Sequence, residues 1–159
     1  MAITRLNHAV LFVRDVDAAA EFYRSVFGLV ELQRPAGMRA AFLRSPGGGN
    51  HHDLGLFEVG ADAQRPVRGS VGLYHLAWEV ETIEDLAEMA RTLGDARALT
   101  GTSDHAVSKS LYGRDPDGNE FEVMWSVPAS AWGEFADSAT IRPLDLEAEL
   151  RRWGRGAHV

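Results

Sequence analysis

The chain has 159 residues, 45% of them hydrophobic, and a formal net charge of −7. This length suits one compact domain with a sizeable core. The negative charge, with no basic cluster, argues against a nucleic-acid-binding surface. No apolar run is long enough to cross a bilayer, and the N-terminus lacks a signal-peptide layout. Cysteine is absent, which excludes disulfides and thiolate metal sites and favours a cytoplasmic location.

The first half of the chain predicts a strand, a helix and three further strands. The opening run LNHAVLFV alternates, so that His8 shares one face of the strand with Leu6, Val10 and Phe12, while Asn7, Ala9, Leu11 and Val13 form the other. The next segment predicts a helix that is capped near Asp15 or Asp17 and stops at Gly28. Three shorter strands are predicted near residues 30–33, 39–44 and 53–59.

The second half repeats this pattern. A shift of 67 residues lays LNHAVLFV over LYHLAWEV, and His8 falls on His75. The second helix is predicted from Thr82 to Gly94, and a C-terminal helix is predicted after a cap at Asp145. Further strands are predicted near residues 98–100, 108–112 and 120–126. We therefore expect one α+β domain over residues 1–159, made of a βαβββ unit at 4–60, a second at 71–127 and a helical tail at 128–159.

Three polar side chains in the strand-like runs predict a metal site. His8 and His75 are equivalent in the repeat, and Glu122 lies in the last run, NEFEVMW. Two imidazoles and one carboxylate can hold a redox metal on one face and leave the opposite positions open for ligands. The alternatives are histidines that are ordinary core or surface residues and a solvent-facing Glu122. Matching the two turns by their proline and glycine residues places His52 opposite Glu122 as a fourth position.

Several motifs resemble those of a known family. The repeated unit, the early N-H-x-x-L-x-V-x-D-V pattern, the F-Y pair at Phe22 and Tyr23, and D-P-D-G-N-x-x-E are similar to the vicinal oxygen chelate superfamily over residues 4–126. The resemblance implies two tandem βαβββ units that form a half-open β-barrel with flanking helices. That superfamily includes glyoxalases, epimerases, fosfomycin-modifying enzymes, metal-free drug-binding proteins and extradiol dioxygenases, so the fold alone does not choose among them.

Three further residues resemble the extradiol dioxygenases of that superfamily. The chain has an H-D pair at His52, a D-H-x-V-S segment with His105, and Tyr112 just before D-P-D-G-N. The resemblance implies that His52 is the acid/base that handles bound oxygen, and that His105 and Tyr112 hydrogen-bond to the catechol oxygens. The implied ligands of Fe(II), or of Mn(II) in its place, are His8, His75 and Glu122. The implied partners are a small aromatic diol and O2.

Two other functions stay open. In a glyoxalase- or epimerase-type lyase or isomerase, His52 would be a fourth ligand and the metal would be Zn(II), Ni(II) or Co(II). A metal-free drug-binding protein would have no need of the trio. A homodimer or higher homo-oligomer is also considered, with the site built within one chain or across two, and with Trp132 and Trp153 as candidate contacts. Apolar residues considered for a substrate pocket are Phe12, Met38, Phe42 and Trp125.

Overall fold

The computed structural model describes residues 2–155 and contains two four-stranded mixed sheets. The chain divides into two compact units. The first comprises Met1–Arg68 with Pro116–Gly118, and the second comprises Gly69–Asp115 with Asn119–Val159. Each unit carries one sheet and has the order strand, helix, strand, strand, strand. The predicted α+β class with two tandem βαβββ units is therefore confirmed.

In the first unit a single helix packs on a sheet of order β1-β4-β3-β2. β1 and β4 run parallel, and the other neighbours are antiparallel. The side chain of Asp15 caps the helix by accepting hydrogen bonds from two backbone N–H groups of its first turn. The elements are β1 (Ala9–Val13), α1 (Val16–Ser25), β2 (Val30–Glu31), β3 (Ala40–Arg44) and β4 (Leu54–Glu58).

The second unit has the same topology, with order β5-β8-β7-β6 and parallel pairing of β5 with β8. Thr82 and Asp85 form a reciprocal capping box at the start of its first helix. Two short 3₁₀ turns, at Ala129–Ala131 and Gly133–Phe135, precede the last helix. The elements are β5 (Leu76–Glu79), α2 (Ile83–Asp95), β6 (Leu99–Asp104), β7 (Ser108–Arg114), β8 (Glu120–Ser126) and α3 (Leu146–Trp153).

Two boundaries of the second unit differ from the sequence prediction. α2 continues through Gly94 to Asp95, and the left-handed residue that follows it is Arg97, with φ of 54°. β6 runs to Asp104, well beyond the predicted end, because its antiparallel ladder with β7 continues as far as the pair Asp104–Lys109. Pairing with the next strand therefore extends a segment whose local composition is weak for a strand.

The C-terminal segment packs on its own unit. Asp145 caps α3 as predicted, and α3 lies against α2. The Trp153 ring lies 5.9 Å from that of Trp125 in β8. Residues 156–159 of the predicted tail lie outside the described part of the chain. Within that part, the helices are too short and too polar to cross a membrane.

Candidate metal and catalytic centre

In the second unit, the parallel pairing of the first and last strands brings His75 and Glu122 together. His75 immediately precedes β5 and Glu122 lies in β8, beside the start of β5. The His75 Nε2 atom is 3.2 Å from Glu122 Oε2. Two donors that each lie about 2.1 Å from one ion, at a right angle, are roughly 3 Å apart. The pair therefore fits two ligands of one metal ion.

Glu122 faces away from the core of its unit yet is shielded from solvent. Phe121 and Val123, on either side of it, form the apolar face of β8 and are each 1% exposed. Glu122 itself is only 9% exposed. A shielded carboxylate needs a partner to offset its desolvation, and here His75 and Tyr112 are within reach. The solvent-facing alternative for Glu122 is therefore wrong.

Tyr112 and His105 extend the group of polar side chains around Glu122. The Tyr112 hydroxyl is 3.3 Å from Glu122 Oε1 and 2.9 Å from His105 Nε2. The His105 Nδ1 atom lies 2.8 Å from the carbonyl oxygen of Thr140. A carbonyl only accepts, so Nδ1 carries a proton. The C-terminal segment thereby fixes the tautomer of His105. The single hydrogen of the phenol then has two acceptors within reach, Glu122 Oε1 and the Nε2 atom of a neutral His105.

The surroundings of Tyr112 keep its phenol protonated. Burial raises its pKa, and the negative charge of Glu122 raises it further. A neutral phenol retains its proton and can donate a hydrogen bond at neutral pH. Tyr112 is thus placed as a donor beside the candidate ligand.

In the first unit, His8 and His52 form a second pair. His8 precedes β1 by one residue, because the parallel ladder begins where the Ala9 N–H donates to the carbonyl of Asp53. The His8 side chain is exposed, and its ring centroid lies 4.5 Å from that of His52. Burial lowers the pKa of His52, and the nearby His8 and His51 lower it further. A neutral imidazole is ready to accept a proton.

The residue of the first unit that is equivalent to Glu122 is a glycine. The prediction that His52 is the equivalent of Glu122, and so the fourth position of the repeat, is therefore wrong. The first and last strands pair in the same register in both sheets, Ala9 with Leu54 and Leu76 with Phe121. The counterpart of Glu122 is therefore Gly55, which offers no side-chain donor. The turns differ in length, so aligning their prolines and glycines shifted the register. His52 lies in the longer turn, three residues before the equivalent position.

The sequence pattern did not predict that the chain buries a lysine in an ion pair. Lys109, the only lysine in the chain, is 3% exposed. Its Nζ atom lies 2.5 Å from Asp104 Oδ1 and 3.5 Å from Glu149 Oε2, so it links the β6–β7 hairpin to α3. The available signal was its position in a strand two residues before the apolar Leu111.

Among residues 2–155, no group of three or more histidine, aspartate and glutamate side chains is placed to hold a metal ion. The structure gives one candidate ligand pair, His75 with Glu122, and one histidine pair, His8 with His52. The complete trio stays a prediction. Of the apolar residues considered for a pocket, Trp125 is buried and its ring lies near that of Trp153 in the C-terminal helix.

The chain has two βαβββ units, and histidine or glutamate side chains lie where the first and last strands of each unit pair. This combination of fold and polar side chains is typical of one class of domain. A family model described as the Glyoxalase/Bleomycin resistance protein/Dioxygenase superfamily matches residues 5–123, and the chain belongs to this superfamily.

Two curated relatives carry dioxygenase-type names. The chain is 30% identical over 154 residues to Catechol-2,3-dioxygenase of Bacillus subtilis (strain 168), across 95% of this chain and 53% of the relative. It is 30% identical over 160 residues to Metapyrocatechase 2 of Cupriavidus necator, across 94% and 44%. The chain therefore spans about half the length of the curated relatives it matches.

Among solved structures, Lactoylglutathione lyase from Agrobacterium tumefaciens is similar, with 27% identity and a TM-score of 0.58. The match covers 84% of this chain and 99% of that one. The superfamily is thus established, while the relatives differ in the reactions that their names give.

Proposed function

We propose that the chain is an Fe(II)-dependent extradiol dioxygenase that inserts O2 into a catechol-like aromatic ring. The observation that carries the proposal is the hydrogen-bonded set around Glu122, in which Tyr112 lies between Glu122 and His105, with His75 on the other carboxylate oxygen. A lone metal site would need only the ligands. The added phenol and imidazole suit a substrate with two hydroxyl oxygens, and the names of the curated relatives agree.

The ligand set of the proposal is His8, His75 and Glu122. Its donor chemistry, two imidazoles and a carboxylate, suits Fe(II), and the spacing between His75 and Glu122 fits shared coordination. When bound, the metal would hold a diol and O2 at its open positions and orient them toward each other.

The remaining roles belong to side chains that move or hold protons. His52, kept neutral by burial, would take a proton from a substrate hydroxyl and return it later. Tyr112 would donate a hydrogen bond to a developing oxyanion on the substrate. His105 would hold the phenol in place through its 2.9 Å contact.

The exposed face of the first sheet suits an aromatic substrate. Val10 and Phe12 project from β1 on this face and are 52% and 73% exposed. The ring of Phe42 lies 5.1 Å from that of His52. Apolar side chains beside a proton-transfer group match the two needs of a catechol-like ring. We propose a cytoplasmic enzyme of aromatic breakdown that acts on small molecules.

The test is a ring-cleavage assay. The apo protein is reconstituted anaerobically with Fe(II), mixed with a panel of catechols and exposed to O2. The expected result is the yellow ring-cleavage product, with consumption of one O2 per ring. No product from any catechol, together with turnover of a thiohemiacetal or an epimerisable acyl-CoA, would overturn the proposal.

The second candidate function is a lyase or isomerase, favoured by the likeness to the solved lactoylglutathione lyase. The four-ligand form of this function needs a donor at the fourth repeat position. Gly55 occupies that position, and a Cβ there would lie 3.3 Å from Val10 Cγ2 and 3.4 Å from Phe42 Cε1. The space beside the strand is therefore filled by apolar side chains, which favours the three-ligand dioxygenase.

A further inference from the structure

A chain of side-chain amides connects His8 to a carboxylate in the first unit. The Nδ1 atom of His8 lies 2.8 Å from Asn7 Oδ1. The Nδ2 group of Asn7 donates to Asn50 Oδ1 at 3.2 Å. The Nδ2 group of Asn50 in turn donates to Asp53 Oδ1 at 2.7 Å and to the backbone carbonyl of Asn7 at 2.8 Å.

The carboxylate of Asp53 sets the direction of every hydrogen bond in this chain. An ionised carboxylate only accepts, so the NH₂ group of Asn50 must face Asp53 and its Oδ1 must face Asn7. The other oxygen of Asp53 is held by the Ser45 backbone N–H at 2.7 Å. Asn7 consequently presents its own Oδ1 to His8, and the hydrogen on the imidazole must be at Nδ1.

We propose that Asp53, acting through Asn50 and Asn7, positions His8 as its Nδ1–H tautomer and so leaves the Nε2 lone pair for a metal ion. Asn7, Asn50 and Asp53 are positioning residues. The tautomer follows from the hydrogen bonds alone, whereas the metal-binding consequence rests on the proposed function. The two residues of the H-D pair therefore have different proposed roles: His52 transfers protons, and Asp53 orients His8.

His75, the equivalent histidine of the second unit, is not held by such a chain of hydrogen bonds. The Nδ1 atom of His75 is buried without a hydrogen-bond partner, and the residue before it is Tyr74, which has no acceptor equivalent to a carboxamide. His75 is partly shielded, while His8 is exposed. An exposed imidazole loses more rotational freedom when it is fixed, so His8 has the greater need of an outer-shell partner.

The first arm of the test needs no metal. ¹⁵N–¹H long-range NMR of the apo protein near pH 8.5, above the usual imidazole titration range, reads the tautomer of His8 directly. The expected wild-type signal is protonated Nδ1 and bare Nε2. Asn7→Ala and Asn50→Ala should give a mixture of tautomers, while Asn7→Asp, which keeps the acceptor, should retain the wild-type signal.

Gln64→Ala is the matched control for this arm, because it removes an exposed carboxamide outside the network. Persistence of a pure Nδ1–H signal in both alanine variants would overturn the tautomer assignment. Two separate alanine variants keep the test decisive if one of them folds poorly.

The second arm is the affinity for Co(II), followed by its visible spectrum. Loss of an outer-shell partner weakens metal binding about 10–100-fold. Asn7→Ala should show such a loss, and Asn7→Asp should stay within a few fold of the wild type. A changed tautomer with unchanged Co(II) affinity would overturn the metal-binding consequence and remove His8 from the ligand set. The same result would leave the tautomer assignment supported.

Discussion

At the scale of single residues, burial keeps two side chains neutral at pH 7, one able to accept a proton and the other able to donate a hydrogen bond. It lowers the pKa of His52, so this imidazole can accept a proton. It raises the pKa of Tyr112, so this phenol keeps the proton that it donates. An acceptor and a donor of this kind are what a reaction needs when a hydroxyl ionises and an oxyanion develops.

The first prediction concerns His52→Ala. This variant should bind Fe(II) as the wild type does and lose turnover about 10²–10⁴-fold, because a positioned acid/base contributes that much. Metal content and steady-state kinetics on the best catechol measure the two effects. Gln64→Ala is the control, since it removes an exposed side chain that has no proposed role and should stay near wild-type activity. Loss of the metal from His52→Ala would make His52 a ligand and favour the lyase.

The second prediction concerns Tyr112→Phe. The change removes one hydroxyl that contacts His105 and Glu122, and kcat should fall about 10²–10³-fold, as for loss of an oxyanion donor. Metal affinity should change little. Tyr74→Phe, at a tyrosine that is 73% exposed, is the control. Equal kcat values for Tyr112→Phe and the wild type would exclude the phenol from the reaction.

At the scale of elements, the β6–β7 hairpin and α3 are joined by the buried ion pair of Lys109. Burial opposes ionisation of Asp104, but hydrogen bonds from Lys109 and from the Ala106 N–H outweigh it, so the pKa of Asp104 lies below its usual range. A carboxyl with a lowered folded-state pKa stabilises the fold above its unfolded pKa, and this stabilisation is lost as the pH falls through the folded value.

The third prediction follows from this ion pair. Lys109→Met should lower the free energy of unfolding by about 3–5 kcal/mol, because it leaves carboxylates shielded without their cation. It should also flatten the fall in stability on acidification below the ordinary aspartate range, about pH 4, because Lys109 would no longer lower the pKa of Asp104. Urea unfolding at several pH values measures both. Arg91→Met is the control, since its exposed pair with Glu88 is worth at most about 1 kcal/mol. Equal losses in both variants would contradict a structural role for Lys109.

The fourth prediction compares two glycines of the second sheet. A Cβ at Gly113 would lie 2.4 Å from Phe121 Cζ and 2.8 Å from the Ala98 carbonyl oxygen. Gly113→Ala should therefore destabilise the protein by about 1–3 kcal/mol or more through overpacking. A Cβ at Gly101 meets nothing within 4 Å, so Gly101→Ala should change the free energy of unfolding little. Urea unfolding separates them, and similar losses would refute the steric explanation.

Local signals predicted the elements well, and strand pairing accounts for the extent of β6 and for the register of the two repeats. The caps at Asp15, Thr82 and Asp145 were all predictable, since each depends on side chains within three residues. The extension of β6 depends on β7, which local composition does not reveal. The equivalence of Gly55 and Glu122 in the repeat follows from strands that pair across more than 40 residues. The alignment of the sequence relied instead on the two turns, which differ in length.

At the scale of the whole molecule, each unit of the repeat carries a different set of polar side chains. The first contributes His52, an exposed His8 and the amides that orient it. The second contributes a shielded pair, His75 and Glu122, which the alternation of NEFEVMW allowed but did not decide. Shielding of Glu122 depends on the folded surroundings, so no sequence pattern alone could have distinguished a cavity-lining carboxylate from an exposed one.

The fifth prediction is that metal binding stabilises the protein only when all of the proposed ligands are present. At a free metal concentration of about 100 times Kd, binding to the folded state should add about 2.7 kcal/mol to the free energy of unfolding. His8→Ala and Glu122→Ala should each lose most of this gain, because each removes a ligand of the same ion. Anaerobic urea unfolding with and without Fe(II) measures it, and Gln64→Ala should keep the full gain. If His8→Ala kept the full gain while Glu122→Ala lost it, the metal would be held by the second unit alone and the three-residue ligand set would be wrong.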